Sequence, residues 1–245
     1  MICIPIAKET TAAAIAMIER AAPDADLMEL RIDGMRDCDL RSLLKNRPRP
    51  VIVTNRRREE GGAFNGTEPE RIARLAEAAR LGADYIDCEI ATPLALKEEL
   101  RQICRQSGTQ RIASWHDFSK TPETAILEAK LAEAMADDPA LIKLITMAND
   151  KGDNLRLLSL LPLAKSRGRA MIAFCMGEMG QISRVMAPLF GSRISYAPLE
   201  PDGASAPGQL TAGRMREILA LLADLAPAGP GRSGESPLRE ENARP

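Results

Sequence analysis

Residues 51–89 read VIVTNRRREEGGAFNGTEPERIARLAEAARLGADYIDCE. The stretch opens on a β-branched run, Val51 to Thr54, of the kind that fits a buried strand. A charged turn containing Gly61 and Gly62 follows, and then helical spacing that places Ile72, Leu75, Ala76 and Ala79 on one face. Thr67 with Glu70 three residues on is the pattern of a capping box, so a helix starts there. A second strand closes the stretch at Tyr85-Ile86-Asp87-Cys88-Glu89. The whole is one strand-helix unit leading into the next strand.

The unit recurs along the chain. Short apolar runs lie at 2–7, 26–33, 50–55, 84–90, 110–116, 140–147, 169–176 and 193–199, with helical spacing in most intervals, as at Leu127, Leu131, Ala134 and Met135. Thr121 before Pro122 predicts another helix start, because proline has no N–H to leave orphaned in a first turn. Alternation of this kind is the mark of a parallel sheet in an α/β protein. Eight units in about 230 residues predict a (β/α)8 TIM barrel. A doubly wound open sheet is the competitor, but it would normally carry a Gly-x-Gly-x-x-Gly turn after the first strand. Here that strand runs into Ala7-Lys8-Glu9-Thr10. A final helix is expected over 208–225, with Met215, Ile218, Leu219 and Leu222 on one face. The barrel domain is thus expected to span 1–226. Residues 227–245 have almost no apolar content with which to offset their ordering entropy, and are expected to form a disordered tail.

Composition excludes several functions. Among 245 residues, 33 Lys+Arg face 34 Asp+Glu, giving a formal net charge of −1, with 3% aromatic residues. No basic stripe is available for nucleic acid or an anionic membrane, and there are few rings on which bases could stack. No apolar run is long enough to span a bilayer, and no signal-peptide pattern opens the chain, so a cytoplasmic protein is expected. Cys3, Cys38, Cys88, Cys104 and Cys175 form no Cys-x-x-Cys pair and are expected to be reduced. A single histidine excludes a centre built from several imidazoles.

Barrel enzymes place their chemistry at the C-terminal ends of the strands. On the second strand, Glu29, Arg31 and Asp33 alternate with Leu30 and Ile32, which puts three ionisable groups on one face. The third ends on Asn55-Arg56, and the fourth carries Asp87 and Glu89 on one face, where buried acids need partners. The fifth, Ile112-Ala113-Ser114-Trp115-His116, ends on the only histidine, an imidazole suited to acid-base work near neutral pH. From strand geometry, Asp87 is expected to orient His116. The sixth, Leu141-Ile142-Lys143-Leu144-Ile145-Thr146, buries a lysine in an apolar run. Such an amine, its pKa lowered by desolvation and nearby cations, is a candidate nucleophile towards a ketone or aldehyde. After the seventh strand, the loop from Gly177 to Arg184 could hold a phosphate, and Arg184 equally a carboxylate. The polar loop from Pro198 to Gln209 could fold down as a lid.

Taken in order, Glu-Leu-Arg-Ile-Asp at 29–33, Thr-Asn-Arg at 54–56 with Glu60-Gly61-Gly62, Ser-Trp-His-Asp-Phe at 114–118, Lys143, Gly177 to Arg184 and Ser-Ala-Pro-Gly-Gln at 205–209 resemble type I 3-dehydroquinate dehydratase. The resemblance implies a barrel, usually dimeric and without metal or cofactor, that converts 3-dehydroquinate to 3-dehydroshikimate on the route to chorismate. It implies that Lys143 forms an imine with the substrate ketone, that His116 moves the protons, and that Glu60 supports the histidine. It places Arg184, Ser205 and Gln209 around the substrate carboxylate and C1 hydroxyl, and Glu29, Arg31 and Arg56 on the remaining hydroxyls. The rival is a class I aldolase, which shares the imine but cleaves a C–C bond. A catalytically silent barrel binding sugar acids is a third reading, against which both Lys143 and His116 argue.

Overall fold

The computed structural model describes residues 1–45, 47–201 and 209–224. Eight strands appear: β1 (Ile2–Ile6), β2 (Leu27–Arg31), β3 (Val51–Thr54), β4 (Tyr85–Glu89), β5 (Gln110–Asp117), β6 (Leu141–Met147), β7 (Met171–Met176) and β8 (Ser195–Tyr196). They form one sheet in the order β7-β6-β5-β4-β3-β2-β1-β8. Because β1 pairs in parallel with β2 on one side and β8 on the other, the order never reverses, and the sheet curls into a nearly closed (β/α)8 TIM barrel. The open-sheet alternative is thereby set aside.

Helices fill the crossovers: α1 (Thr11–Ala21), α2 (Leu40–Leu44), α3 (Glu68–Arg80), α4 (Leu94–Ser107), α5 (Thr124–Ala136), α6 (Gly152–Leu158), α7 (Leu160–Ser166), α8 (Gln181–Met186) and α9 (Ala212–Asp224). The capping box is present on α3, where the Thr67 hydroxyl accepts from the Glu70 N–H and the Glu70 carboxylate accepts from the Thr67 N–H at 2.7 Å. The expected cap at Thr121 is not. There α5 starts at Thr124 after Glu123, and the Thr121 hydroxyl donates instead to the Met147 carbonyl at 2.8 Å, fastening the loop to β6. The crossover after β6 is broken into two short helices, since Pro162 has no N–H to continue the ladder from α6. The last helix starts at Ala212, four residues later than expected, and β8 pairs over only two residues. The cysteines carry free thiols.

Period-two alternation explains what fills the barrel. Leu27, Ile52, Tyr85, Ile112 and Leu141 belong to one buried cluster with Cys3. Each lies two residues before an inward polar position on its strand: Glu29, Thr54, Asp87, Ser114 and Lys143. The strands therefore close the floor with their own apolar layer, and the polar layer rests on it. The segment 227–245 lies outside the described residues.

Candidate active site

The polar layer is a row of buried charges linked by hydrogen bonds. The Lys143 ammonium donates to Glu29 Oε1 at 3.2 Å and to Asp87 Oδ2 at 3.0 Å. Arg56 donates to Asp87 Oδ2 at 2.7 Å, to Glu89 Oε1 at 2.9 Å and to the Ser114 hydroxyl at 2.7 Å. Arg71, on α3, pairs with the far side of Glu89 at 2.6 Å. Glu29 also accepts from the Thr54 hydroxyl at 2.9 Å. Signs alternate along Arg71, Glu89, Arg56, Asp87, Lys143 and Glu29, so each buried charge has an opposite neighbour, as burial demands. Burial alone would push the Asp87 carboxyl up. The Arg56 and Lys143 cations outweigh it and hold the group far below the usual carboxylate range.

This geometry corrects two expectations. Asp87 does not orient His116: its hydrogen-bond partners are Arg56, Ser114 and Lys143, because the stagger between strands brings it beside β6 residues one layer deeper than the histidine. Nor is Lys143 set chiefly among cations, since its own hydrogen bonds go to two carboxylates.

Glu60 orients the histidine instead. It ends a short 3₁₀ turn, Arg58–Glu60, and its Oε2 accepts from the His116 backbone N–H at 2.9 Å while lying 3.1 Å from His116 Nδ1. Two glycines make that turn possible. Gly61 has φ +77°, and a Cβ on Gly62 would collide with the Arg56 carbonyl. Burial, partly offset by Arg56, pushes the Glu60 carboxyl up to about 8. Burial, reinforced by the Arg56 and Lys143 cations, holds the His116 imidazole well below its ordinary value. At neutral pH the imidazole is therefore the uncharged partner, and the Glu60 proton decides which of its two nitrogens can accept one.

One cleft at the barrel mouth is lined by Glu29, Arg31, Arg56, Glu60, His116, Lys143, Arg184 and Gln209. Of the anticipated site residues only Ser205 is missing from it, and Ser205 lies outside the described residues. Arg31 is locked in a fork with Asp33 at 2.8 and 2.9 Å. Burial pushes the Arg184 guanidinium down to about 10, so it remains a cation at neutral pH. Sequence reasoning missed Phe174, Met176 and Tyr196 on this wall. Phe174 and Met176 share one face of β7 by the period-two rule that found the charged residues, but apolar side chains on a strand carry no such signal.

The model of the type I 3-dehydroquinase family matches residues 2–226. The chain belongs to this family. A relative from Desulfotalea psychrophila, 3-dehydroquinate dehydratase, is 36% identical over 220 residues, covering 89% of this chain and 96% of that protein. Among solved structures, the type I 3-dehydroquinate dehydratase from Clostridium difficile with covalent modified comenic acid aligns with a TM-score of 0.83 at 25% identity over 92% of both chains. The 3-dehydroquinate dehydratase from Aquifex aeolicus aligns with a TM-score of 0.75 at 29% identity, over 89% of this chain and 96% of its own. As a type I 3-dehydroquinase the chain is a hydro-lyase that dehydrates 3-dehydroquinate in the shikimate pathway, and the aldolase reading falls away.

Proposed function

We propose that this barrel eliminates water from 3-dehydroquinate through an imine on Lys143, with neither metal nor cofactor. The observation that carries the reading is that Lys143 and His116, on neighbouring strands, line one cleft and are each held by buried carboxylates. The Lys143 ammonium passes a proton to His116, the freed amine adds to the C3 ketone, and His116 returns that proton to the carbinolamine hydroxyl, which leaves as water to give a protonated imine. His116 removes a C2 proton, and the electron pair passes into the imine as an enamine. The enamine returns the pair and expels the C1 hydroxyl, which His116 protonates as it leaves as water. A second water hydrolyses the conjugated imine, frees Lys143 and releases 3-dehydroshikimate. One water is lost overall. The covalent modified ligand of the Clostridium difficile relative is in keeping with a site that forms adducts.

In the same reading Arg184, Gln209 and Ser205 hold the substrate carboxylate and C1 hydroxyl, while Glu29, Arg31 and Arg56 hold the other hydroxyls. A site built this way rejects analogues lacking a hydroxyl, because its own buried polar groups would be stranded. Borohydride reduction in the presence of 3-dehydroquinate, followed by mass spectrometry, is expected to give a stable adduct at Lys143. Absence of any adduct in the folded protein refutes the mechanism, and loss of activity to a chelator refutes its independence of metal.

We also propose a cytoplasmic homodimer that binds no nucleic acid, with a catalytic domain of 1–226 and a dispensable segment at 227–245. No helix among the described residues is long and apolar enough to cross a membrane. Exposed Met179, Ile182, Leu189 and Phe190 supply apolar surface for self-association. Light scattering that reports a monomer at micromolar concentration would remove the dimer.

A further inference from the structure

The cleft seats two cations on two aromatic rings. Lys143 Nζ lies 4.3 Å from the centre of the Tyr196 ring, and the Arg184 guanidinium carbon lies 4.5 Å from that of Phe174. The rings pack against each other, with centres 6.0 Å apart and planes inclined at 50°. The chain has only four Phe, two Tyr and one Trp, so a ring under each cation is not a by-product of composition. Phe174 and Tyr196 also meet where β7 and β8 face each other without a ladder between them.

What Tyr196 gives Lys143 is its ring face. The hydroxyl is buried and has no hydrogen-bond partner among the described residues. An ammonium has three N–H donors, and Glu29 and Asp87 accept from it. A protonated imine keeps one N–H, so at least one of those two hydrogen bonds is lost just when the nitrogen must stay positive. The attraction of a ring face is to the charge rather than to a hydrogen, and it survives the change.

We infer that Tyr196 is a further catalytic residue, whose ring face stabilises the positive charge of the imine on Lys143; the inference rests on the imine mechanism proposed above. The test is rapid-quench borohydride trapping with 3-dehydroquinate in the parent enzyme, in Tyr196→Leu, in Tyr196→Phe, and in Tyr196→Phe carrying increasing numbers of ring fluorine atoms. Removing the ring is expected to slow adduct formation roughly 10- to 30-fold, the worth of a desolvated cation-ring contact. Tyr196→Phe is expected to recover most of that loss, and fluorination to erode it stepwise as the ring face loses its negative potential. The fluorinated series keeps the shape of the ring, so it decides the matter even where Tyr196→Leu does not fold. A flat fluorine series, or Tyr196→Leu trapping at the parental rate, overturns the inference. So does a Tyr196→Phe rate as low as that of Tyr196→Leu, which would make the hydroxyl the working group. No adduct in the parent enzyme removes the imine mechanism itself, a result distinct from any difference among the Tyr196 variants.

Discussion

Glu60 holds His116 at two points, accepting from its backbone N–H at 2.9 Å and meeting Nδ1 at 3.1 Å with the same carboxylate oxygen. The backbone contact fixes where the residue sits, and the ring contact fixes how the imidazole turns. With Nδ1 so engaged, Nε2 is the nitrogen left for the ligand.

The pair sets a pH dependence. The Glu60 carboxyl, pushed up to about 8, keeps its proton at neutral pH and loses it as the pH rises. The resulting carboxylate accepts from Nδ1–H, which makes Nε2 the basic nitrogen. The parent enzyme is therefore expected to show kcat/KM rising with pH to a limb near 8. In Glu60→Gln no such proton can leave, and the limb is expected to move below 6.5, where the depressed imidazole alone titrates. Matching pH profiles for parent and variant would show that Glu60 does not govern the histidine.

His116→Ala removes the proposed proton carrier but leaves the amine. Turnover is expected to fall by roughly 10² to 10⁴, the usual worth of general acid-base catalysis, while borohydride still traps a slowly formed adduct at Lys143. Near-normal steady-state turnover would remove His116 from its assigned role.

Gly62→Ala forces a methyl group against the Arg56 carbonyl and shifts the turn that carries Glu60. Overpacking of this kind costs about 1 to 3 kcal/mol. Because a displacement of about 1 Å at a reacting group can cost 10²-fold, kcat is expected to fall by about that factor while the barrel stays folded. Urea titration and steady-state kinetics on one preparation separate the two effects, and unchanged kcat would show that the turn tolerates a side chain.

Thr67→Ala deletes the capping box of α3 without touching the cleft. A loss of about 1 kcal/mol in unfolding free energy is expected, with kcat unchanged. An unaltered denaturation midpoint would mean the cap is redundant.

The alternation of strands and helices, and the inward face of each strand, were legible because both follow from local periodicity. Glu29, Arg31, Asp87, Ser114, His116 and Lys143 all fall on the faces that a two-residue repeat assigns them. Which inward residue meets which was not legible. Asp87 and His116 lie on adjacent strands, yet Asp87 bonds Lys143 and Arg56, since barrel stagger is a property of the closed sheet and not of any one strand. Thr121 misled for a related reason. Its hydroxyl suits a helix cap, but the Met147 carbonyl, 26 residues away, claims it. The histidine's supporting acid was found only through a resemblance, because Glu60 sits on a turn where spacing carries no direction.

The alternating row from Arg71 to Glu29 bears on how readily such a barrel could change its substrate. An ammonium and a protonated imine carry the same single charge at the same place, so the row meets the same charge, though with fewer N–H donors, before and after a carbonyl compound is captured. Of the row, Arg71, Glu89 and Asp87 do not line the cleft, so in the proposed reading only Glu29 and Arg56 also meet the substrate's hydroxyls. In the same reading the rest of the substrate is held by Arg31, Arg184 and Gln209, none of which lies on β6, the strand that carries the amine. A barrel of this design can be retargeted at those three positions while the charges behind Lys143 are inherited intact.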